Sequence, residues 1–148
     1  MARRELAERS ATHRGPDAPD LGDPPTRRRL SEPGLGAFRK VAEALRLTIE
    51  EQCTLLGAVP RRTFHRWIAG GAGELARDQL ERISLTLGIF KALQILFPVA
   101  ERRDAWLRAA NGDQPFGGQA PLAYLLEGSQ QHLWEARRYL DAWRGGWP

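Results

Sequence analysis

Residues 48–68 have the sequence TIEEQCTLLGAVPRRTFHRWI, and this stretch predicts two short helices joined by a tight turn. Thr48 and Glu51 match a capping box, so the first helix should begin here. Gly57 suits the end of that helix, because glycine adopts the left-handed backbone conformation without strain. Pro60 suits the first turn of the second helix, where a missing N–H costs nothing. The pattern is that of a helix-turn-helix, in which one helix braces another in the major groove of DNA.

The second of these helices has one apolar and one cationic side. The inner side carries Phe64, Trp67 and Ile68, and we expect Trp67 to be a core residue rather than a stacking platform. No acidic residue lies between Gly57 and Gly73, which fits the electrostatic footprint of a DNA-binding helix. The turn is one residue longer than is usual for the motif, which predicts a displaced recognition helix. The predicted DNA contacts are Arg61, Arg62, Thr63, His65 and Arg66.

The rest of the chain also has helical periodicity, and no stretch alternates like a β-strand, so we predict an all-α fold. Apolar residues with helical spacing lie over residues 37–45, 75–97, 99–110, 121–126 and 130–144. The segment 75–97 is apolar on two sides, so we expect a second subunit to cover one of them in a homodimer. Gly88 weakens the middle of this segment and marks a candidate break in the helix.

The composition divides the chain into an arm and two domains. Residues 1–33 contain five of the ten prolines, seven arginines and six acidic residues, with few large apolar side chains. Such a segment buries too little surface to offset its ordering entropy, and we predict a disordered arm. Its cluster Arg27-Arg28-Arg29 either contacts DNA phosphates or lies in a solvated linker. We predict a helix-turn-helix domain over residues 34–74 and a second helical domain over residues 75–148.

Charge and cysteine content narrow the class of protein. The net charge of +4 and the excess of arginine over lysine favour an anionic partner, although Arg-rich codon usage explains the second feature equally well. The single cysteine, Cys53, rules out an internal disulfide and suits a reducing compartment.

The longest apolar stretch, Leu85 to Phe97, is too short to span a bilayer, and no apolar segment follows Arg3-Arg4 as an export signal requires. We expect a cytoplasmic protein without a membrane partner.

The sequence contains no recognisable catalytic set. His13, His65 and His132 lie in three separate segments, and no Ser-His-Asp order or paired-carboxylate site accompanies them. Gly117-Gly118 lacks the preceding strand that a nucleotide-binding fingerprint requires. We therefore expect a protein that is not an enzyme, with no catalytic residue, no metal site and no cofactor.

Several pieces of the sequence, taken in order, resemble a known family. Leu55-Leu56-Gly57, the run Arg62 to Trp67 and Gly70 resemble the helix-turn-helix of Xre-like antitoxins. The second half resembles the toxin-binding domain of the Xre/MbcA/ParS antitoxins. The matching pieces there are Leu93 to Pro98, Trp106-Leu107, Phe116 to Leu122 and Arg138 to Trp143. The resemblance covers roughly residues 37–146.

The resemblance implies an antitoxin of a bacterial toxin–antitoxin pair. Members of this family bind RES-type toxins, which consume NAD, or related ADP-ribosyltransferase-like toxins, and block the active site with their C-terminal region. They also repress their own operon by binding promoter DNA, and they are typically dimeric. The family's blocking segment maps onto the end of the last helix and the tail. With Trp134, which lies off the apolar stripe of that helix, the predicted toxin-binding residues are Trp134, Trp143, Arg144, Gly145, Gly146, Trp147 and Pro148.

Two other functions fit the same residues. One is a stand-alone helix-turn-helix regulator whose C-terminal domain serves only to dimerise. The other is a protein–protein adaptor that has lost DNA binding. For the tail, a simple helix end at Gly145-Gly146 is the structural alternative to insertion into a toxin. Trp143 lies on the apolar stripe and is therefore also expected in the core.

Overall fold

The computed structural model describes residues 18–145, which fold into seven α-helices without a β-strand. This confirms the predicted all-α fold. A π-helical turn over Trp67–Gly71 extends the third helix. The helices are α1 (Pro24–Ala44), α2 (Ile49–Leu55), α3 (Arg61–Arg66), α4 (Arg77–Leu96), α5 (Ala100–Arg108), α6 (Pro121–Leu125) and α7 (Gln130–Arg144).

Helix α4 is the central element, and both α1 and α7 pack along it. The apolar residues of its two predicted stripes are either buried in the core or packed against it. Helices α1 and α7 of the same chain therefore cover α4 from two sides. Helix α7 supplies part of the cover that was expected from a second subunit, but Leu85, Leu87 and Phe90 remain half-buried, so the homodimer stays a prediction.

The prediction of a disordered arm over residues 1–33 is wrong for residues 24–33, which form the first half of α1. Asp23 caps this helix by accepting a 3.2 Å hydrogen bond from the backbone N–H of Thr26. Pro24 and Pro25 occupy the first turn, where proline is tolerated. Tertiary contacts of the buried Leu35 and Ser31 then hold a segment that has little apolar surface of its own. Residues 1–17 lie outside the described residues.

Helix α4 continues through Gly88, so the predicted break does not occur. The absence of a side chain here lets α7 approach closely. A Cβ atom at Gly88 would lie 2.5 Å from Cζ of Arg137, whose guanidinium group lies over this point of α4. Gly88 thus serves close helix packing rather than a change of helix direction.

The C-terminal half is built around an aromatic cluster, which we define as Phe97, Trp106, Phe116, Tyr124, Tyr139 and Trp143. Phe116 is almost fully buried at its centre, with its ring centroid 5.1 Å from that of Tyr139 and 5.5 Å from that of Tyr124. Phe97 and Trp143 close the other end at 5.5 Å. Most of these contacts are edge-to-face, the arrangement that aromatic rings favour. The cluster joins α5, the 109–120 loop, α6 and α7 into one unit.

No single helix within residues 18–145 has both the length and the apolar character needed to cross a bilayer. Helices α4 and α5 meet that test of length and composition when taken together, but they are bent by 118° relative to each other.

Candidate functional site

The predicted helix-turn-helix forms as expected from α2 and α3. Both bonds of the capping box are present, with Glu51 N–H donating to Oγ1 of Thr48 at 3.1 Å and Thr48 N–H donating to Oε1 of Glu51 at 2.9 Å. After α2, Gly57 and Ala58 both adopt left-handed conformations, with φ of 99° and 59°. The longer turn is accommodated by this second left-handed residue, which lets Val59 return to the core, and Pro60 then directly precedes the first residue of α3, Arg61.

Helix α3 turns its predicted apolar face to the core and its predicted cationic face outward. Phe64 is fully buried and Trp67 is nearly so, which confirms Trp67 as a core residue, while Ile68 is half-buried. Thr63 is also half-buried. The four cationic or ionisable residues among the predicted DNA contacts are all exposed, namely Arg61, Arg62, His65 and Arg66. The structure therefore brings these side chains together on one open surface.

One acidic residue modifies the charge of this surface. Glu50, at the start of α2, places Oε1 3.8 Å from Nη1 of Arg61, and the two side chains are 83% and 64% exposed. Such an exposed pair is weak and is screened by salt, so Arg61 keeps most of its availability for phosphate. The spacing of α3 alone does not reveal this neighbour, because Glu50 lies on α2 and meets Arg61 only when the two helices pack. Cys53 lies on the inner side of α2, and burial raises the pKa of its thiol.

Helix α1 holds the segment that leaves α3. Arg27 and Arg28 both bond to Glu74, at 2.8 Å and 3.1 Å, and the hydrogen bond from Arg27 lowers the pKa of that carboxyl. Oγ of the fully buried Ser31 accepts a hydrogen bond of 2.8 Å from the backbone N–H of Leu75. In the cluster Arg27-Arg28-Arg29, two of the three arginines are thus paired with Glu74 within the protein. No local pattern signals these contacts, since the partners lie more than 40 residues apart in sequence.

Two further arginines connect the N-terminal and C-terminal halves. Arg82 of α4 is buried, and its Nη1 donates to the carbonyls of Gly128 at 2.8 Å and Leu55 at 3.4 Å. Its Nε donates to Asp78 at 2.9 Å. Arg108 of α5 donates through Nη2 to the carbonyl of Leu45 at 3.3 Å, beyond the end of α1. The carbonyls of Leu55 and Leu45 lie at the C-terminal ends of α2 and α1, where the helix dipole also favours a cation, while Gly128 lies in the turn between α6 and α7.

The predicted toxin-binding residues fall into two groups on α7. Trp143 is half-buried in the aromatic cluster, while Arg144 and Gly145 are exposed at the end of the helix. Trp134 is half-buried earlier in α7, and Cζ of Arg138 lies 5.4 Å from the centroid of its ring. Gly146, Trp147 and Pro148 lie outside the described residues. The structure therefore places the end of α7, but not the tail, relative to the core.

Two family models match the chain. The antitoxin Xre-like helix-turn-helix domain matches residues 26–88, and the antitoxin Xre/MbcA/ParS C-terminal toxin-binding domain matches residues 92–146. The chain belongs to the Xre/MbcA/ParS antitoxin family. The antitoxin is also similar to a Sinorhizobium fredii protein named "Uncharacterized protein y4oB", with 43% identity over 112 residues that cover 76% of this chain and 84% of the relative.

These matches confirm the resemblance drawn from the sequence and place it on the structure. The helix-turn-helix match begins within α1, in agreement with the buried contacts that α1 makes to the rest of that domain. Both matches end or begin inside α4, so this helix belongs in part to each domain of the antitoxin.

The toxin-binding domain of the antitoxin also contains a polar network that the sequence did not reveal. The hydroxyl of Tyr124 donates to Glu135, which also accepts a 2.9 Å bond from Gln131. The bond from Tyr124 lowers the pKa of Glu135, while burial raises the pKa of Tyr124. Nε2 of His132 lies 2.6 Å from a carboxylate oxygen of Glu127. His132 thus takes part in packing α6 against α7, and residues 18–145 contain no cluster of potential metal ligands around it.

Proposed function

We propose that this antitoxin neutralises a cognate RES-type, NAD-consuming toxin by blocking the toxin's active site with its C-terminal region. We further propose that it represses its own operon through the helix-turn-helix, as a homodimer in the cytoplasm, and acts by binding rather than by catalysis. A single observation carries both parts: one chain joins an open cationic recognition helix to the toxin-binding domain of this family.

The exposed side chains of α3 support promoter binding. Arg62, His65 and Arg66 lie on the outer face, and the buried Phe64 and Trp67 fix that face relative to α2. Arginine on such a face pairs with phosphates or bidentately with guanine, at about 1–3 kcal/mol of discrimination for each good base contact. Two recognition helices in a dimer would read two half-sites about one helical turn apart on the DNA.

The end of α7 supports the blocking role. Trp143 is anchored in the aromatic cluster, so the chain leaves the domain from a fixed point with Arg144 and Gly145 exposed. A rigid anchor lowers the entropy lost when a following segment enters a partner's cleft. A toxin of the family's RES type, which binds NAD, offers such a cleft.

Promoter binding is tested with the double variant Arg62→Ala/Arg66→Ala. We expect gel-shift affinity for the operon's own promoter to fall at least 100-fold and the log–log salt slope to become shallower by about 2, since two phosphate contacts are lost. The matched variant Arg102→Ala/Arg138→Ala removes the same charge from the C-terminal domain and should leave promoter affinity within a few-fold. An unchanged gel shift for the first variant would instead favour an adaptor without DNA binding.

Toxin neutralisation is tested by deleting residues 144–148 and co-expressing the shortened chain with the product of the adjacent open reading frame. We expect relief of toxicity to be lost while the promoter gel shift is retained. If the full-length chain forms no complex with that product and relieves no toxicity, the antitoxin mechanism proposed here is wrong. A regulator whose C-terminal domain serves only to dimerise would show no toxicity phenotype in either form.

A further inference from the structure

Two large apolar side chains are exposed where α4 turns into α5. Ile95 is 53% exposed and Val99 is 49% exposed, and these are the exposed large hydrophobic side chains within residues 18–145. They lie four residues apart, so their Cα atoms are separated by no more than about 14 Å. We call Ile95 and Val99 the elbow patch.

The elbow patch rests on a rigid base. Phe97 lies between its two residues, and the ring of Phe97 packs against Trp106 at 5.9 Å and Trp143 at 5.5 Å. Nη1 of Arg103 donates to the carbonyl of Phe97 at 2.9 Å and fixes the bend. Apolar groups held in place in this way lose little entropy when a partner covers them, which is a property of binding hot spots.

The surroundings of the elbow patch carry positive charge. Lys91 shares a face of α4 with Ile95, one helical turn away, and Arg102 lies in the first turn of α5 after Val99. Arg144 is exposed just beyond Trp143, which contacts Phe97. Glu101 opposes these charges, whereas Asp104 of α5 is paired with Arg108 at 2.8 Å and Asp141 of α7 with Arg137 at 3.6 Å. A second copy would bring two cationic rims together, whereas a partner with an acidic rim would gain from the same charges.

We propose that the elbow patch is a docking surface for the toxin, separate from the tail, and that it receives an apolar site with an acidic rim on the toxin. The inference rests on the proposed function and extends it. The patch lies at the end of the domain where α7 finishes, so one toxin molecule can contact the patch while the segment after Gly145 occupies its active site. Docking at the patch then raises the effective concentration of that segment at the active site.

The test uses the full-length chain and the separately purified product of the adjacent open reading frame, with affinity measured by titration calorimetry. The variants are Ile95→Glu/Val99→Glu and Ile95→Lys/Val99→Lys. Ala76→Glu is the control, because this exposed residue lies at the opposite end of α4, about 29 Å away along the helix. We expect the Glu pair to weaken binding at least tenfold, the Lys pair to weaken it less, and Ala76→Glu to leave it within twofold. Promoter gel shifts should be unchanged in all three, which shows that the variants fold.

Other outcomes overturn the proposal. Wild-type affinity in the Glu pair shows that the toxin does not contact the elbow patch. A variant that keeps toxin affinity but becomes monomeric in sedimentation shows that a second copy of the chain covers it. Equal losses for the Glu and Lys pairs contradict the acidic rim. If the wild-type chain itself binds no toxin, the proposed function fails, and that result differs from a loss confined to the elbow variants.

Discussion

The hydroxyl of Tyr139 donates a hydrogen bond of 2.7 Å to Asp113, and its ring packs against Phe116 and Trp143. This residue fastens the 109–120 loop to α7. Burial, followed by the bond to Asp113, raises the pKa of Tyr139 to about 12. A tyrosine in the unfolded chain has a pKa of about 10, so folding opposes loss of this proton.

The raised pKa predicts a loss of stability at alkaline pH. Because the folded-state pKa of Tyr139 exceeds the unfolded value, its contribution is complete below about pH 10 and disappears as the pH rises from 10 to 12. We expect urea unfolding free energies to fall over this range, and to fall less steeply in Tyr139→Phe. That variant should also lose about 1 kcal/mol at pH 8, where the hydrogen bond is intact in the wild type.

Tyr124 provides the comparison, because the chain has two tyrosines and burial raises the pKa of this one as well. Tyr124→Phe should remove part of the alkaline loss, and the double variant should remove the tyrosine contribution completely. If wild type and Tyr139→Phe show the same dependence on pH between 10 and 12, the buried hydrogen bond to Asp113 does not govern this behaviour.

At the scale of the element, α1 is held mainly by contacts distant in sequence. Oγ of Ser31 donates to the carbonyl of Arg27 at 2.6 Å and accepts from the backbone N–H of Leu75 at 2.8 Å. Ser31→Ala leaves that buried N–H without its partner, and we expect a loss of about 1–3 kcal/mol in the free energy of unfolding. Ser84→Ala is the control at an exposed site of α4, and it should change stability by a few tenths of a kcal/mol through helix propensity alone. Equal effects of the two substitutions in thermal or urea unfolding would contradict the role of Ser31.

How far each element could be predicted depends on where its determining interactions lie. The capping box of Thr48 and Glu51 and the left-handed Gly57 act within a few residues, so α2 and its end were predictable. The first half of α1 was not, because its polar, proline-rich sequence is ordered by Leu75 and Glu74, more than 40 residues away. Composition indicates how much surface a segment can bury on its own, but it does not reveal the contacts that the rest of the chain provides.

The candidate sites divide in the same way, into residues placed by local helical spacing and residues placed by tertiary packing. The outer face of α3 was predictable, because helical spacing alone separates Arg62 and Arg66 from Phe64 and Trp67. The bond between Tyr124 and Glu135 and the exposure of Ile95 depend on how α4 to α7 pack, and no periodicity encodes that packing. The resemblance identified the pieces of the toxin-binding domain but not their meeting in the aromatic cluster.

At the scale of the whole molecule, the two domains are joined through a shared helix and two reciprocal arginines. Arg82 lies in the helix-turn-helix match and bonds to Gly128 of the toxin-binding match, while Arg108 of the toxin-binding match bonds to Leu45 of the helix-turn-helix match. Helix α4 supplies core residues to both domains. Because neither domain has a complete core without α4, we expect the described part of the chain to unfold as one cooperative unit.

This coupling predicts a large effect for a buried arginine and a small one for an exposed neighbour. Arg82→Met keeps much of the side-chain volume but leaves the carbonyls of Leu55 and Gly128 without a donor, and we expect it to cost about 2–3 kcal/mol. Arg77→Met removes a half-exposed i,i+4 pair with Glu81, and it should cost less than about 0.5 kcal/mol.

In calorimetry, the wild type should show equal calorimetric and van't Hoff enthalpies. Arg82→Met combined with Arg108→Met should lower the van't Hoff value relative to the calorimetric one, because the two halves around α4 then unfold less cooperatively. A single transition with an unchanged enthalpy ratio would show instead that α4 alone transmits stability between the domains.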